Sequence, residues 1–188
     1  MSKFNDFENQ KNTHQISKIT EGEITQYVLD RFEEMKQNPT MSELINFHSS
    51  NKYLLMAHNQ EKLKTLGNIV ANHNKRNMTD LIYEYEVNLK NTLRIIPTVR
   101  THINVLMHIF GFFKSYFSQE QKEAFLEHIK NYRENNITLG KILCEIEPLT
   151  YQINAMFLIS QTYFLLYSES SRSNIEKITS WLSLTKKE

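Results

Sequence analysis

Two stretches, 44-LINFHSSNKYLLMAH-58 and 100-RTHINVLMHIFGFF-113, set basic and amide side chains among apolar residues at helical spacings. A helix ordinarily keeps Lys, Arg and His toward water, so those that a helical wheel turns inward are the ones that could do chemistry. With residues placed about 100° apart, Met41, Leu44, Ile45, Leu55 and Met56 form an apolar arc that has His48 and Lys52 in its middle. Asn51 and His58 fall at its other shoulder, beside Phe47 and Leu54. His48 and Lys52 are four residues apart, which makes their side chains neighbours on a helix. In the second stretch Arg100, Asn104, His108, Gly111 and Ser115 form one narrow strip on a helix that is otherwise apolar almost all round. Such a helix belongs in a core, and its strip is expected to face an internal polar site. Gly111 removes a side chain from that strip, which lets a ligand or another backbone come close at a cost of about 1 kcal/mol relative to Ala.

The chemistry open to this set follows from its groups. Lys52 and Arg100 would attract a phosphate or carboxylate, and Asn104 offers a donor and an acceptor suited to a base or an amide. His48 and His108 can exchange protons near neutrality. A desolvated Lys52 could act as a nucleophile, though no motif demands it. Blander readings stand beside these: Lys52 could extend its stem to water or pair with a structural carboxylate, and His102, which points into the apolar arc, reads as a hydrogen-bonded packing residue. No metal is expected, since His102 and His108 lie six apart with no HExxH and no cysteine pair. The absence of a Gly-rich phosphate loop and of a Ser/His/Asp signature leaves no cofactor implied. Glu84 or Glu86 of 83-YEYE-86 could supply a carboxylate partner, whereas Glu145 and Glu147, two apart, cannot share a helix face. The basic 74-NKRN-77 reads as a wet loop, and 110-FGFFKSYF-117 as core.

These residues must be positioned by helices. Four Gly and three Pro against nine Tyr and eleven Phe leave too few turn formers for many short strands. The 188 residues suffice for one domain with a real core. An all-α fold is expected, a single compact bundle of about seven to eight helices with a central buried helix near residues 98–117. A polar, aperiodic N-terminal arm over 1–21 precedes a helical domain over 22–188. Within the domain the periodicity predicts helices from Glu23 to about Gln37, Met41 to His58, Glu61 to His73, and from Thr79 to a break at Pro97. Further helices run from Thr98 to Phe117 and from a Ser118/Gln121 capping box to Asn135. A segment over 138–167 carries Gly140 and Pro148 and can divide, and an amphipathic helix from Ser173 to Leu184 contains Trp181.

Charge and cysteine usage narrow the setting. A net charge of +1 gives no global electrostatic case for nucleic acid, so any RNA contact would be a local patch. Cys144, the single cysteine, can make no internal disulfide and cannot hold an iron–sulfur cluster. A reducing, cytoplasmic location is expected. The N-terminus lacks the apolar core of a signal peptide, and 156-MFLISQTYFLLY-167 falls short of the roughly 20 residues that cross a bilayer.

The same residues carry a family resemblance. FHSSNKYLLMAH at 47–58, Tyr85, THINVLMHIFGFFK at 101–114, Tyr132 with Arg133, and Gln161 with Tyr163 resemble the pattern of the YbgA family across roughly residues 42–165. This is a helical bacterial domain found alone or fused behind a desulfidase domain of the 2-thiouracil type. The chain departs from the pattern at Thr138 and Ile142, where the family has prolines, and at 164-FLLYS-168. The shared polar positions carry over as His48, Lys52, Tyr53, His58, His102, Asn104, His108 and Gly111. The resemblance implies, by association, a role near thiolated nucleobases, sulfur or RNA, with any desulfidase-type partner acting in trans.

The expectation is therefore an internal polar pocket that binds a small anionic or heteroaromatic ligand, a nucleotide or a modified or thiolated nucleoside, whether or not it also does chemistry. His48, Lys52 and His108 are the candidate catalytic groups. Tyr53, His58, Tyr85, Arg100, Asn104 and Gly111 are the candidate binding groups. The alternative is a non-catalytic RNA-binding or adaptor module that works with a desulfidase-type partner.

Overall fold

The computed structural model describes residues 19–72 and 75–169. Among them every regular element is helical: α1 (Glu21–Met35), α2 (Met41–Ser50), α3 (Lys52–His58), α4 (Gln60–Ala71), α5 (Met78–Leu93), α6 (Val99–Phe113), α7 (Gln119–Arg133), α8 (Leu139–Gln152), α9 (Met156–Ile159) and α10 (Thr162–Tyr167). The all-α expectation holds. The N-terminal arm lies, up to residue 18, outside the described residues, and so does the expected helix with Trp181.

Seven of these helices begin where a polar side chain accepts from the first turn. Thr20, Thr40, Asn59, Asn77, Thr98, Ser118 and Thr138 each take a backbone N–H three residues on. Each such cap satisfies a donor that the helix itself cannot, and is worth about 1 kcal/mol. The Ser118/Gln121 box predicted from sequence is formed in both directions. Asn72, at φ 44°, ends α4 in the left-handed region, where an Asn is tolerated.

The stretch expected as one helix from Met41 to His58 is two. Asn51, at φ −100° and ψ 4°, separates α2 from α3. Its side-chain amide donates to the Phe47 carbonyl at 2.8 Å. Gln161, the N-cap of α10, donates its Nε2 to the Ser49 carbonyl at 2.9 Å. A side chain set into the backbone ladder is a recognised cause of a helix bend. Beyond this elbow α3 is inserted among α2, α4, α5, α6 and α10. Its residues from Tyr53 to His58 are all buried. Beside it, α6 contributes His102, Val105, Leu106, Ile109, Phe110 and Phe113 to the core.

The segment from 138 to 167 divides into α8, α9 and α10, but not at Pro148, which lies inside α8. Gly140 marks a close approach instead. A Cβ there would sit 3.0 Å from the Tyr167 carbonyl oxygen and 3.0 Å from the Glu169 nitrogen.

Candidate functional site

His48 is the centre of the most suggestive geometry. It sits half-buried in the last turn of α2, with Nδ1 3.1 Å from the Tyr85 hydroxyl of α5. Tyr85 is 0% exposed, stacked on Phe32 at 5.5 Å and edge-on to Phe47. These contacts leave the phenol no freedom to swing, so it fixes the imidazole plane. The opposite side of the ring faces Gly67 of α4, where an added Cβ would lie 3.5 Å from His48 Nε2. A methyl group there would be in ordinary van der Waals contact with the ring nitrogen. Burial, then the Lys52 ammonium, lowers the His48 pKa, so the imidazole is neutral near pH 7.

Lys52 opens α3 and is exposed, which corrects the inward placement that the wheel gave it. The wheel took the arc of Met41, Ile45 and Lys52 for the core face, whereas the buried stripe is Leu44, Phe47, Asn51, Leu55 and His58, and Ile45 is exposed with Lys52. Lys52 makes no ion pair with any carboxylate among the described residues, and its Nζ lies 6.0 Å from the centroid of the buried Tyr53 ring. Burial raises the Tyr53 pKa.

The α6 strip needs the same correction. Arg100, His108 and Gly111 are exposed and Asn104 is half-buried, donating to Gln60 Oε1 at 2.9 Å. Nothing approaches within 4 Å of a Cβ built at Gly111, which faces open space rather than another element. The helix has more apolar residues than its core face can seat, and Val99 and Met107 are exposed with the strip. The polar residues take the wet side, as on an ordinary amphipathic helix. No hydrogen bond or ion pair joins this strip to His48 or Lys52, so the expected set does not close around one internal pocket.

His58 is the inward histidine of α3, 2% exposed. Its ring is 2.6 Å at Nδ1 from the Ile95 carbonyl, which can only accept, so Nδ1 carries the proton. Nε2 is then a buried acceptor without a partner among the described residues. Burial lowers the His58 pKa, against the opposing effect of the Ile95 carbonyl.

Sequence reasoning passed over one constellation. His102 Nδ1 lies 2.9 Å from the Tyr163 hydroxyl, and the His102 ring meets the Tyr167 ring edge at 4.9 Å. Tyr167 donates to Glu21 Oε2 at 2.9 Å. Burial raises the pKa of Tyr163, of Tyr167 and of Tyr132, and Glu21 adds to the rise in all three. The blocks that carry the family resemblance thus meet here, from α6, α7 and α10, although only tertiary structure shows it. Gly67 was passed over as well; a glycine inside a helix was the available signal. Glu84 and Glu86 prove to be structural, paired with Arg76 and with Lys36 and Lys90 respectively, and Glu145 pairs with His128.

Residues 52–168 match the family model described as protein of unknown function, DUF1722. The chain belongs to the DUF1722 family. The uncharacterised protein YbgA of Escherichia coli (strain K12) is 29% identical over 129 residues, which cover 68% of this chain and 76% of that protein. No solved structure matches. The DUF1722 match takes in α3 to α10, and with them Lys52, Gly67 and Tyr85, while His48 lies just before it. No described helix is long and apolar enough to cross a membrane.

Proposed function

We propose that this chain binds a small anionic or heteroaromatic ligand, of the nucleotide or modified-nucleoside kind, and grips its anionic group with His48 and Lys52. The site lies where α2 meets α3, with His48 half-buried and Lys52 exposed, rather than in an internal pocket. One observation carries the reading: a half-buried imidazole, hydrogen-bonded to Tyr85 and packed against a glycine, stands beside an ammonium that has no carboxylate partner among the described residues. A cation with no carboxylate beside it among the described residues favours a negative ligand. A setting in thio-nucleobase, sulfur or RNA metabolism is supported by the family resemblance alone. Calorimetric titration with uridine monophosphate, 4-thiouridine and its monophosphate tests the reading. The monophosphates should bind and Lys52→Ala should weaken them; silence across the panel would overturn the proposal.

A second reading, a non-catalytic RNA-binding or adaptor module working with a desulfidase-type partner, draws on the outward strip of Arg100, Asn104 and His108. On that reading, replacing Arg100 and His108 by Ala weakens RNA binding and flattens its salt dependence, while Lys52→Ala changes nothing.

A further inference from the structure

We infer that Tyr85 is the positioning residue of the His48 site and makes it a donor-only receptor, specific for a fully ionised oxyanion such as a phosphate monoester or a carboxylate. The inference deepens the anion-binding reading of His48 and Lys52 and rests on it for its ligand half.

The starting point is the Tyr85 proton. A phenol carries one O–H, and its oxygen can also accept. Tyr85 is fully buried, and His48 Nδ1 is its one hydrogen-bond partner among the described residues. If Nδ1 carried the proton, it would donate to the phenol oxygen and the phenol's own hydrogen would be left in the core without an acceptor. A buried donor left so costs about 1–3 kcal/mol. The arrangement that satisfies both groups has Tyr85 donate and Nδ1 accept. A neutral imidazole has one N–H, and it must then lie on Nε2. The imidazolium would protonate Nδ1 and orphan the Tyr85 hydrogen again, so the same bond holds the ring neutral.

Nε2 is the atom over Gly67. With the proton there, the edge that His48 presents is a donor, and the neighbouring Lys52 ammonium is a donor with no acceptor capacity. Two donors and one positive charge fit an oxygen that has lone pairs and negative charge. They do not fit a ligand edge that itself presents an N–H, which would meet them donor to donor. The site therefore takes the ionised oxyanion of the ligand, and Tyr85, which never touches that ligand, sets the preference.

Proton-resolved nitrogen NMR of the full chain, with ¹⁵N-labelled histidine, reads the tautomer directly. The His48 pattern at neutral pH should be that of an Nε2–H imidazole. In Tyr85→Phe, which keeps the ring against Phe32 and Phe47, the Nδ1–H form should rise. An Nδ1–H pattern in the wild-type protein overturns the inference, and that measurement stands even if the variant fails to fold. Titration with inorganic phosphate, acetate and uridine, followed at the His48 resonances, tests the ligand half. Phosphate or acetate should shift them and uridine should not, and the affinity should fall about tenfold in Tyr85→Phe, as for one hydrogen bond. Equal affinity in wild type and Tyr85→Phe, or a response to uridine alone, overturns the donor-only receptor. An Nε2–H pattern with no response to either anion overturns the anion reading itself while leaving the positioning role of Tyr85 supported.

Discussion

Gln161 and Ser49, 112 residues apart, are joined by a 2.9 Å hydrogen bond from the glutamine amide to the serine carbonyl. The bond ties the N-cap of α10 to the last turn of α2, immediately before Asn51 and the exposed Lys52. Among the described residues Gln161 Oε1 is buried with no partner, so the donor contact to Ser49 is what holds the side-chain amide there.

Gln161→Ala should therefore destabilise the fold by about 1–2 kcal/mol, the worth of one buried hydrogen bond with its lost packing. Amide exchange at the α2–α3 junction should quicken more than exchange in α7, which is remote from it. Urea denaturation with hydrogen exchange measures both. Unchanged stability would mean that Asn51 alone makes the bend.

That pair also explains which features could be read before the fold was known. Helix starts were legible at Thr98, Ser118 and Thr138 because a cap is a local exchange between residues three apart. The elbow was not, since half of its cause lies on a residue in α10. Lys52 was misplaced for another reason: the buried stripe runs through Leu44, Phe47, Asn51, Leu55 and His58, and Ile45 and Lys52 lie off it. The strip on α6 failed differently. A helix with an almost fully apolar circumference was read as buried on every side, yet the core seats only one side of it, and Met107 at 43% exposure shares the wet side with His108. Tyr85, by contrast, was legible through the resemblance and proves to be the residue that orders His48.

The glycines offer a sharper test of close packing. Gly140→Ala would set a Cβ 3.0 Å from two backbone atoms, one in the last residue of α10 and one just after it, and should cost about 1–3 kcal/mol as that end shifts. Gly111→Ala meets nothing within 4 Å and should stabilise the protein by up to about 1 kcal/mol through helix propensity. Thermal unfolding of the two variants side by side measures the contrast. A reversed order would contradict the packing of α8.

His58 should make stability depend on pH. Its folded pKa lies below the ordinary histidine value of about 6.5, chiefly through burial. The unfolded chain therefore takes up the proton first as pH falls. The contribution is fully present above about pH 6.5 and is lost as pH drops toward the depressed folded value. His58→Asn keeps an N–H for the Ile95 carbonyl but cannot titrate. Its urea stability should fall less between pH 7 and pH 5 than that of the wild type, whatever its starting value. Parallel curves would show that His58 is not the source.

Lys52 supplies the last test, because it separates charge from burial at His48. The ammonium is exposed and lacks a carboxylate partner among the described residues, so Lys52→Ala should leave stability within about 0.5 kcal/mol. Its positive charge is the second cause of the low His48 pKa, after burial. Removing it should therefore raise that pKa without restoring the ordinary value, since Tyr85, Gly67 and the surrounding core still desolvate the ring. A proton NMR titration of His48 in the variant reads this directly. No movement would mean that Lys52 extends away from the imidazole, and that the two do not form one anion site.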